Sequence, residues 1–352
     1  MTFDSHQYVP VLKVKRGEKA ALSLVEPSLR QRMTPLLEIV ERKPDKSLKA
    51  HLETAFKGLS ESARLYTRCF LDAREIAPDG PKAATDVFRT AANQGFSFTP
   101  VTGISRTFDV AAALEYAING VALRITKDEF ENGNLRGMTE TFMDRHELEP
   151  NEVDLIIDLG SVENLIADGI ARLATAFLAD VPGLNLWRTF TLSGSAFPKS
   201  MRIIDKHSYD LVRREEWIAW KDYFHARRNI SRLPSFSDCA IQHPSGVEGF
   251  DPVLMQVSAS IRYTRRDDWL LIKGESTRFK PPSQQFPQLA TRLVYGDLRR
   301  YFLGTNHCQG CNLMEAAANG APKLGSAEAW RKLGTIHHLS VVTQSLDSLP
   351  WP

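Results

Sequence analysis

Short apolar runs and longer amphipathic stretches alternate along most of this chain. The runs are YVPVLKV (8–14), PLLEIV (35–40), RCFLDA (68–73), FSFTPVTG (96–103), VALRIT (121–126), VDLIIDLG (153–160), LWRTFTLSG (186–194) and SDCAIQH (237–243). Each is a few residues long, and several are apolar at consecutive positions, as expected for strands of a parallel sheet buried on both faces. Between them the period lengthens. Residues 19–32, 46–60, 83–93, 108–118, 135–146, 162–178 and 208–225 place apolar side chains on one helical stripe. Pro27 is expected to break the first of these helices, and Gly95 and Gly120 to end two others.

Eight strand–helix repeats over roughly 240 residues fit a closed (β/α)8 TIM-like barrel, wound by right-handed crossovers. A doubly wound open sheet is the alternative. The lone glycine of KRGEKA after the first strand gives no phosphate-binding fingerprint for it. Beyond residue 250 the pattern changes. ASIRYTRRDDWLLIKGE (259–275) reads as a β-hairpin, FKPPSQQFP (279–287) as an extended proline-rich link, and 289–301 and 327–337 as helices. The expected organisation is a barrel over 1–250 and a C-terminal α+β extension over 251–352.

The 352 residues are 43% apolar and 24% charged, a balance that suits a globular chain large enough to bury a core. A net charge of +2 excludes a global nucleic-acid signature but leaves room for a local basic patch. No apolar segment is long enough to span a bilayer or to serve as a signal peptide. Cys69 and Cys239 lie in apolar runs, so the four cysteines read as reduced thiols and the chain as cytoplasmic.

The strand exits carry the candidate chemistry. Lys13, Glu38, Asp72, Arg124 and Asp158 each interrupt or follow an apolar run near the carboxyl end of a strand. Barrel enzymes place their sites at that end. A lone buried charge is costly, so charges of opposite sign are expected to converge there. Two readings stay open: a salt-bridge network that plugs the barrel, or a pocket. As a pocket, Glu38, Asp72 and Asp158 would be catalytic acids or ligands of Mg²⁺ or Mn²⁺. Lys13, Arg16 and Arg124 would hold an anionic substrate, with Ser193, Ser195, Gln242 and His243 lining it. The reaction would be hydrolysis or transfer on a phosphate-bearing substrate, in the manner of a phosphodiesterase.

Two further groups stand out. HCQGC (307–311) has CxxC spacing, with His337 and His338 downstream. A zinc site on Cys308 and Cys311 lacks a second CxxC, and a turn with two reduced thiols is the favoured reading. RYTRRDDWLLIKG and WRKLGTIHHLSVV supply Arg262, Tyr263, Trp269, Trp330, His337 and His338. These would serve as a contact surface or a lid, for a partner protein or single-stranded nucleic acid. An exposed hairpin or a docked C-terminal helix is the plainer alternative.

YVPVLKVKRGEKAAL, TPLLEI, FLDAR, ASIRYT…WLLIKG and GSAEAWRKLGTIHHLSVVTQ together resemble the phage-associated beta protein family of phages and bacteria. The resemblance spans nearly the whole chain. It implies that Lys13, Gly17, Glu18, Glu38, Asp72, Arg262, Tyr263, Trp330 and His337 are family features, and that the protein acts in phage–host conflict, with a phage component or a neighbouring gene's product as partner. It carries no catalytic residue over, and the CxxC is not part of the pattern.

Overall fold

A computed structural model describes residues 5–226, 230–246 and 258–350. Eight parallel strands form the main sheet: β1 (Val11–Lys13), β2 (Leu36–Glu38), β3 (Phe70–Asp72), β4 (Thr99–Thr102), β5 (Val121–Thr126), β6 (Val153–Ser161), β7 (Thr189–Ser195) and β9 (Ser235–Ser237). The last strand returns to the first. Val9 N donates to Phe236 O at 2.9 Å, and Val11 N to Asp238 O at 2.8 Å. The sheet is thus a barrel, with helices between most successive strands, and the open-sheet alternative falls away.

Side-chain alternation divides the barrel interior into layers. Val9, Val11, Leu36, Phe70, Val101, Ala122 and Ile156 form an apolar layer at mid-height. Two residues further along the strands, the same face carries charge. Lys13 pairs in register with Glu38, and Glu38 with Asp72. Across the barrel Asp158 pairs with Ser193, and Ser193 with Ser237. The opposite faces of the strands pack on helices in the largest core cluster, which includes Leu12, Leu37, Leu71, Leu123, Ile157 and Leu192.

Several elements differ from the sequence expectation. The helix expected at 289–301 ends at Val294, and the one expected at 327–337 runs on to Asp347. Three further differences bear on the barrel and its extension. Residues 208–225 are not one helix. Tyr209–Arg213 is a strand, β8, and Glu215–Ala219 starts a helix that continues as a π-helical stretch, Trp220–His225. The β8 strand alternates too weakly in polarity to be read locally; its edge position on a second sheet stabilises it. The final barrel strand lies at 235–237, ahead of the expected 237–243, and residues 240 and 241 already turn. The link 279–287 is mostly helical, because Pro282 occupies the first turn of the helix Pro282–Val294, where its missing N–H costs nothing.

The hairpin forms as expected. β10 (Ser258–Thr264) and β11 (Asp268–Ser276) are antiparallel, and β8 adds to the other edge of β11. β11 is apolar at successive positions because both faces are covered. Trp269 and Leu271 join the barrel-side core, while Leu270 and Ile272 join a second core with Phe286, Leu289 and Trp330. The proposed boundary at 250/251 lies outside the described residues. The second sheet draws strands from both sides of it.

Candidate functional site

The charged layer forms one connected network. Arg124, on β5, reaches across the barrel mouth. Its Nη1 donates to Glu38 Oε1 at 2.6 Å and to Asp72 Oδ2 at 2.8 Å. Its Nε and Nη2 engage Asp158 Oδ2 at 2.9 and 2.7 Å. Lys13 Nζ lies 3.5 Å from Glu38 and 2.5 Å from Glu75. Arg106 adds a second guanidinium, 2.7 Å from Asp72 Oδ1 and 3.4 Å from Asp109. Backbone amides finish the job: Arg74 N donates to Asp72 Oδ1 and Gly160 N to Asp158 Oδ1, both at 2.9 Å. Three cations (Lys13, Arg106, Arg124) thus face five carboxyl groups (Glu38, Asp72, Glu75, Asp109, Asp158).

Electrostatics follow from this packing. Burial pushes the Asp72 carboxyl up, but the Arg106 and Arg124 guanidiniums together outweigh it and hold the group well below the ordinary carboxylate range. Burial works against the charge on Arg124, yet Asp158, Glu38 and Asp72 raise its pKa well above the usual value. Asp109 goes the other way. Burial raises it to about 6, against the pull of Arg106 and a hydrogen bond from Thr102. The far side of the same layer carries hydroxyls. Ser193 Oγ and Ser237 Oγ are enclosed and accept or donate no hydrogen bond within the protein, and the same holds for Thr191 Oγ1 one layer below, level with Ile156. A cavity of about 10 Å³ lined by Ser193, Ser237 and Glu216 is room for a single water.

A family model described as beta protein matches residues 8–344. The chain belongs to the beta protein family. Among curated proteins, none matches it.

Within this family member, the predicted residues divide clearly. Lys13, Glu38, Asp72, Arg124, Asp158 and Ser193 share the layer. Arg16 does not: its exposed side chain pairs with Glu328 at 3.4 Å, on the first helix, Arg16–Leu24. Ser195 is tied to backbone, donating weakly to Gln242 O at 3.5 Å and accepting from Phe197 N at 3.3 Å. Gln242 bonds Glu18 and Arg331. His243 Nε2 is 2.8 Å from Ser161 Oγ, and its Nδ1 is 2.8 Å from Ser245 Oγ.

The residues expected at a contact surface or lid are interior. Tyr263, Trp269, Trp330, His337 and His338 are at most 4% exposed, so none offers a ring to a partner. Arg262 donates to Ile241 O at 2.6 Å and lies over the Phe197 ring. They build the junction between barrel and extension. His338 Nε2 sits 3.0 Å from Asp238 Oδ2, Tyr8 Oη donates to Asp238 Oδ1 at 2.6 Å, and Arg214 Nη2 is 3.4 Å from Asp238 Oδ2. Asp238 directly follows β9, one residue past Ser237, the position level with Asp158, so it belongs to the junction and not to the charged layer.

Cys308, Cys311 and His337 also come together, though about 26 residues of chain separate the CxxC from the histidine. Their ligand atoms all lie within 4.8 Å of one another. Among the described residues, no other group of three His, Cys, Asp or Glu converges in this way, and Glu38, Asp72 and Asp158 do not. The Arg124 guanidinium stands between those acids.

Proposed function

We propose that this protein works by recognition rather than by turnover at the strand-end acids: a barrel scaffold whose top face engages a phage component or a partner protein during phage–host conflict. The observation that carries this reading is Arg124. One guanidinium engages Glu38, Asp72 and Asp158 together. A divalent ion would have to displace it, and an incoming phosphate would meet more carboxylates than cations. The loops leaving the strand ends carry exposed apolar side chains around this sealed ring. Phe108 follows β4, and Leu165 and Ile166 follow β6; they are 55%, 38% and 69% exposed. Such a rim suits a macromolecular contact. Family membership supports the biological setting.

The test is a phage challenge of cells carrying the gene. Phe108→Ser and Ile166→Ser are expected to abolish restriction with the melting temperature unchanged. Glu38→Gln is expected to lower the melting temperature and to keep restriction at a permissive temperature. Loss of restriction in a Glu38→Gln protein that melts like wild type, together with metal-dependent phosphodiester cleavage by wild type, would overturn the reading.

Asp109 favours a second reading, hydrolysis or transfer on a phosphate-bearing substrate. A carboxyl poised near pH 6 beside Arg106 suits general acid–base work near neutrality. It requires a pH–rate profile with a limb near 6 that Asp109→Asn removes.

A further inference from the structure

Cys308, Cys311 and His337 arrive from two helices and meet beneath the hairpin. We propose that Cys308 Sγ, Cys311 Sγ and His337 Nδ1 bind a zinc ion, with His307 supplying the fourth ligand.

The distances fit. His337 Nδ1 lies 3.5 Å from Cys308 Sγ and 3.3 Å from Cys311 Sγ. A tetrahedral ion with Zn–S of ~2.3 Å and Zn–N of ~2.0–2.1 Å needs a sulfur–nitrogen edge of about 3.5 Å. The tautomer fits as well. His337 Nε2 is 2.7 Å from Thr264 O, which can only accept. The ring proton therefore sits on Nε2, and Nδ1 turns its lone pair to the sulfurs. Ligand histidines are oriented in this way, by a backbone carbonyl on the far nitrogen.

The surroundings favour thiolates. Cys308 precedes the helix Gln309–Ala318, and its Sγ accepts from Cys311 N at 3.4 Å. Tyr263 Oη is 3.4 Å from Cys311 Sγ; it already accepts from Leu303 N at 2.9 Å, so its own proton is free for the sulfur. Tyr263 also stacks on the His337 ring, with centroids 3.9 Å apart. Gly310 matters too. A Cβ there would meet Leu333 O at 2.7 Å, so glycine lets the CxxC helix approach the histidine helix.

The fourth position falls to His307. Its ring lies edge-on to His337 at 5.6 Å, and its Nε2 is enclosed without a hydrogen-bond partner. That nitrogen would reach the ion by rotation of the His307 ring, which stands outside the three converging ligand atoms. A disulfide between the cysteines would leave both histidine nitrogens unused. Paired thiolates with imidazole select zinc among the common divalent ions. Binding releases the two thiol protons to solvent. The ion would clamp the helix Gln309–Ala318 to the C-terminal helix Ala327–Asp347, one residue before His338 contacts the barrel's Asp238.

The experiment is metal analysis of full-length protein purified without chelator or histidine tag. About one zinc per chain is expected. Cobalt replacement should give an intense thiolate-to-metal band that Cys308→Ser and Cys311→Ser lose and Cys69→Ser retains. Should the cysteine variants fail to fold, wild type treated with chelator should melt lower and recover with Zn²⁺. His307→Ala should bind zinc roughly ten- to a hundred-fold more weakly; unchanged affinity would remove His307 from the ligand set. Wild type that contains no metal and takes up neither Zn²⁺ nor Co²⁺ would overturn the proposal. So would a thiol titration showing a Cys308–Cys311 disulfide.

Discussion

Arg124 shows how one side chain converts costly charges into a structural element. Buried carboxylates are expensive singly, yet three of them are engaged by one planar fork at 2.6–2.9 Å. Glu216 is the contrasting residue. Its Oε1 accepts no hydrogen bond, with Arg214 Nε 3.8 Å away, and burial lifts its pKa to about 8, with Arg214 only partly offsetting that. The folded protein therefore keeps the Glu216 proton after the unfolded chain has lost it. Stability from this group is complete below the ordinary value of 4.5 and falls between about pH 4.5 and 8, by at most about 1.4 kcal/mol per pH unit. Glu216→Gln mimics the protonated form. Its melting temperature should match wild type near pH 5 and exceed it increasingly up to pH 8, then level. A gap that stays constant across that range would contradict the assignment.

At the scale of elements, the helix Ala327–Asp347 is decisive. Every residue from Leu333 to Thr343 is buried, so it is an interior helix, polar positions included. Most of its buried polar side chains are engaged: Thr264 Oγ1 lies 2.8 Å from His338 Nδ1, and Ser340 and Thr343 donate to carbonyls one turn back at 2.9 and 2.8 Å, while Thr335 Oγ1 has no hydrogen-bond partner. Gly334 lets β10 and the loop after β9 touch this helix. A Cβ there would fall 2.9 Å from Arg262 O and 2.8 Å from Ile241 Cδ1. Gly334→Ala should thus destabilise by about 1–3 kcal/mol through overpacking, despite its better helix propensity. Chemical denaturation measures this; a stabilised Gly334→Ala protein would show that the contact can relax.

For the whole molecule, the barrel and extension share surface rather than merely touch. β11 buries Trp269 and Leu271 in the barrel-side core and its other face in the second core, and it pairs with β8, which precedes the final barrel strand. We therefore expect a chain cut after residue 250 to fail to fold, having lost the cover of β8 and of the His338–Asp238 contact. Full-length protein should unfold in one transition by near- and far-UV circular dichroism. A soluble, cooperatively melting 1–250 fragment would contradict this. No described helix is long and apolar enough to cross a membrane.

Much of the fold was legible because periodicity is local. Runs such as PLLEIV and VDLIIDLG announce strands whatever lies around them, and the repeat of eight announces the barrel. The strand-exit charges were legible for the same reason: alternation aims Lys13, Glu38, Asp72 and Asp158 at one layer. Glu75, Arg106 and Asp109 were not, because they come from loops and a helix start that no period indexes. β8 was missed because its partner lies some sixty residues later, across the edge of another sheet. Nor could sequence say who meets whom. Arg124 and Glu38 are 86 residues apart, and Cys308 meets His337 only after two helices pack through a glycine. The sequence by itself determined which residues of the barrel strands face inward and that their charges must be compensated, since strand alternation is a local pattern. Only the tertiary structure decided that Arg124 closes the ring and that two cysteines and a histidine share one centre, since those are matters of ångström distances between distant segments.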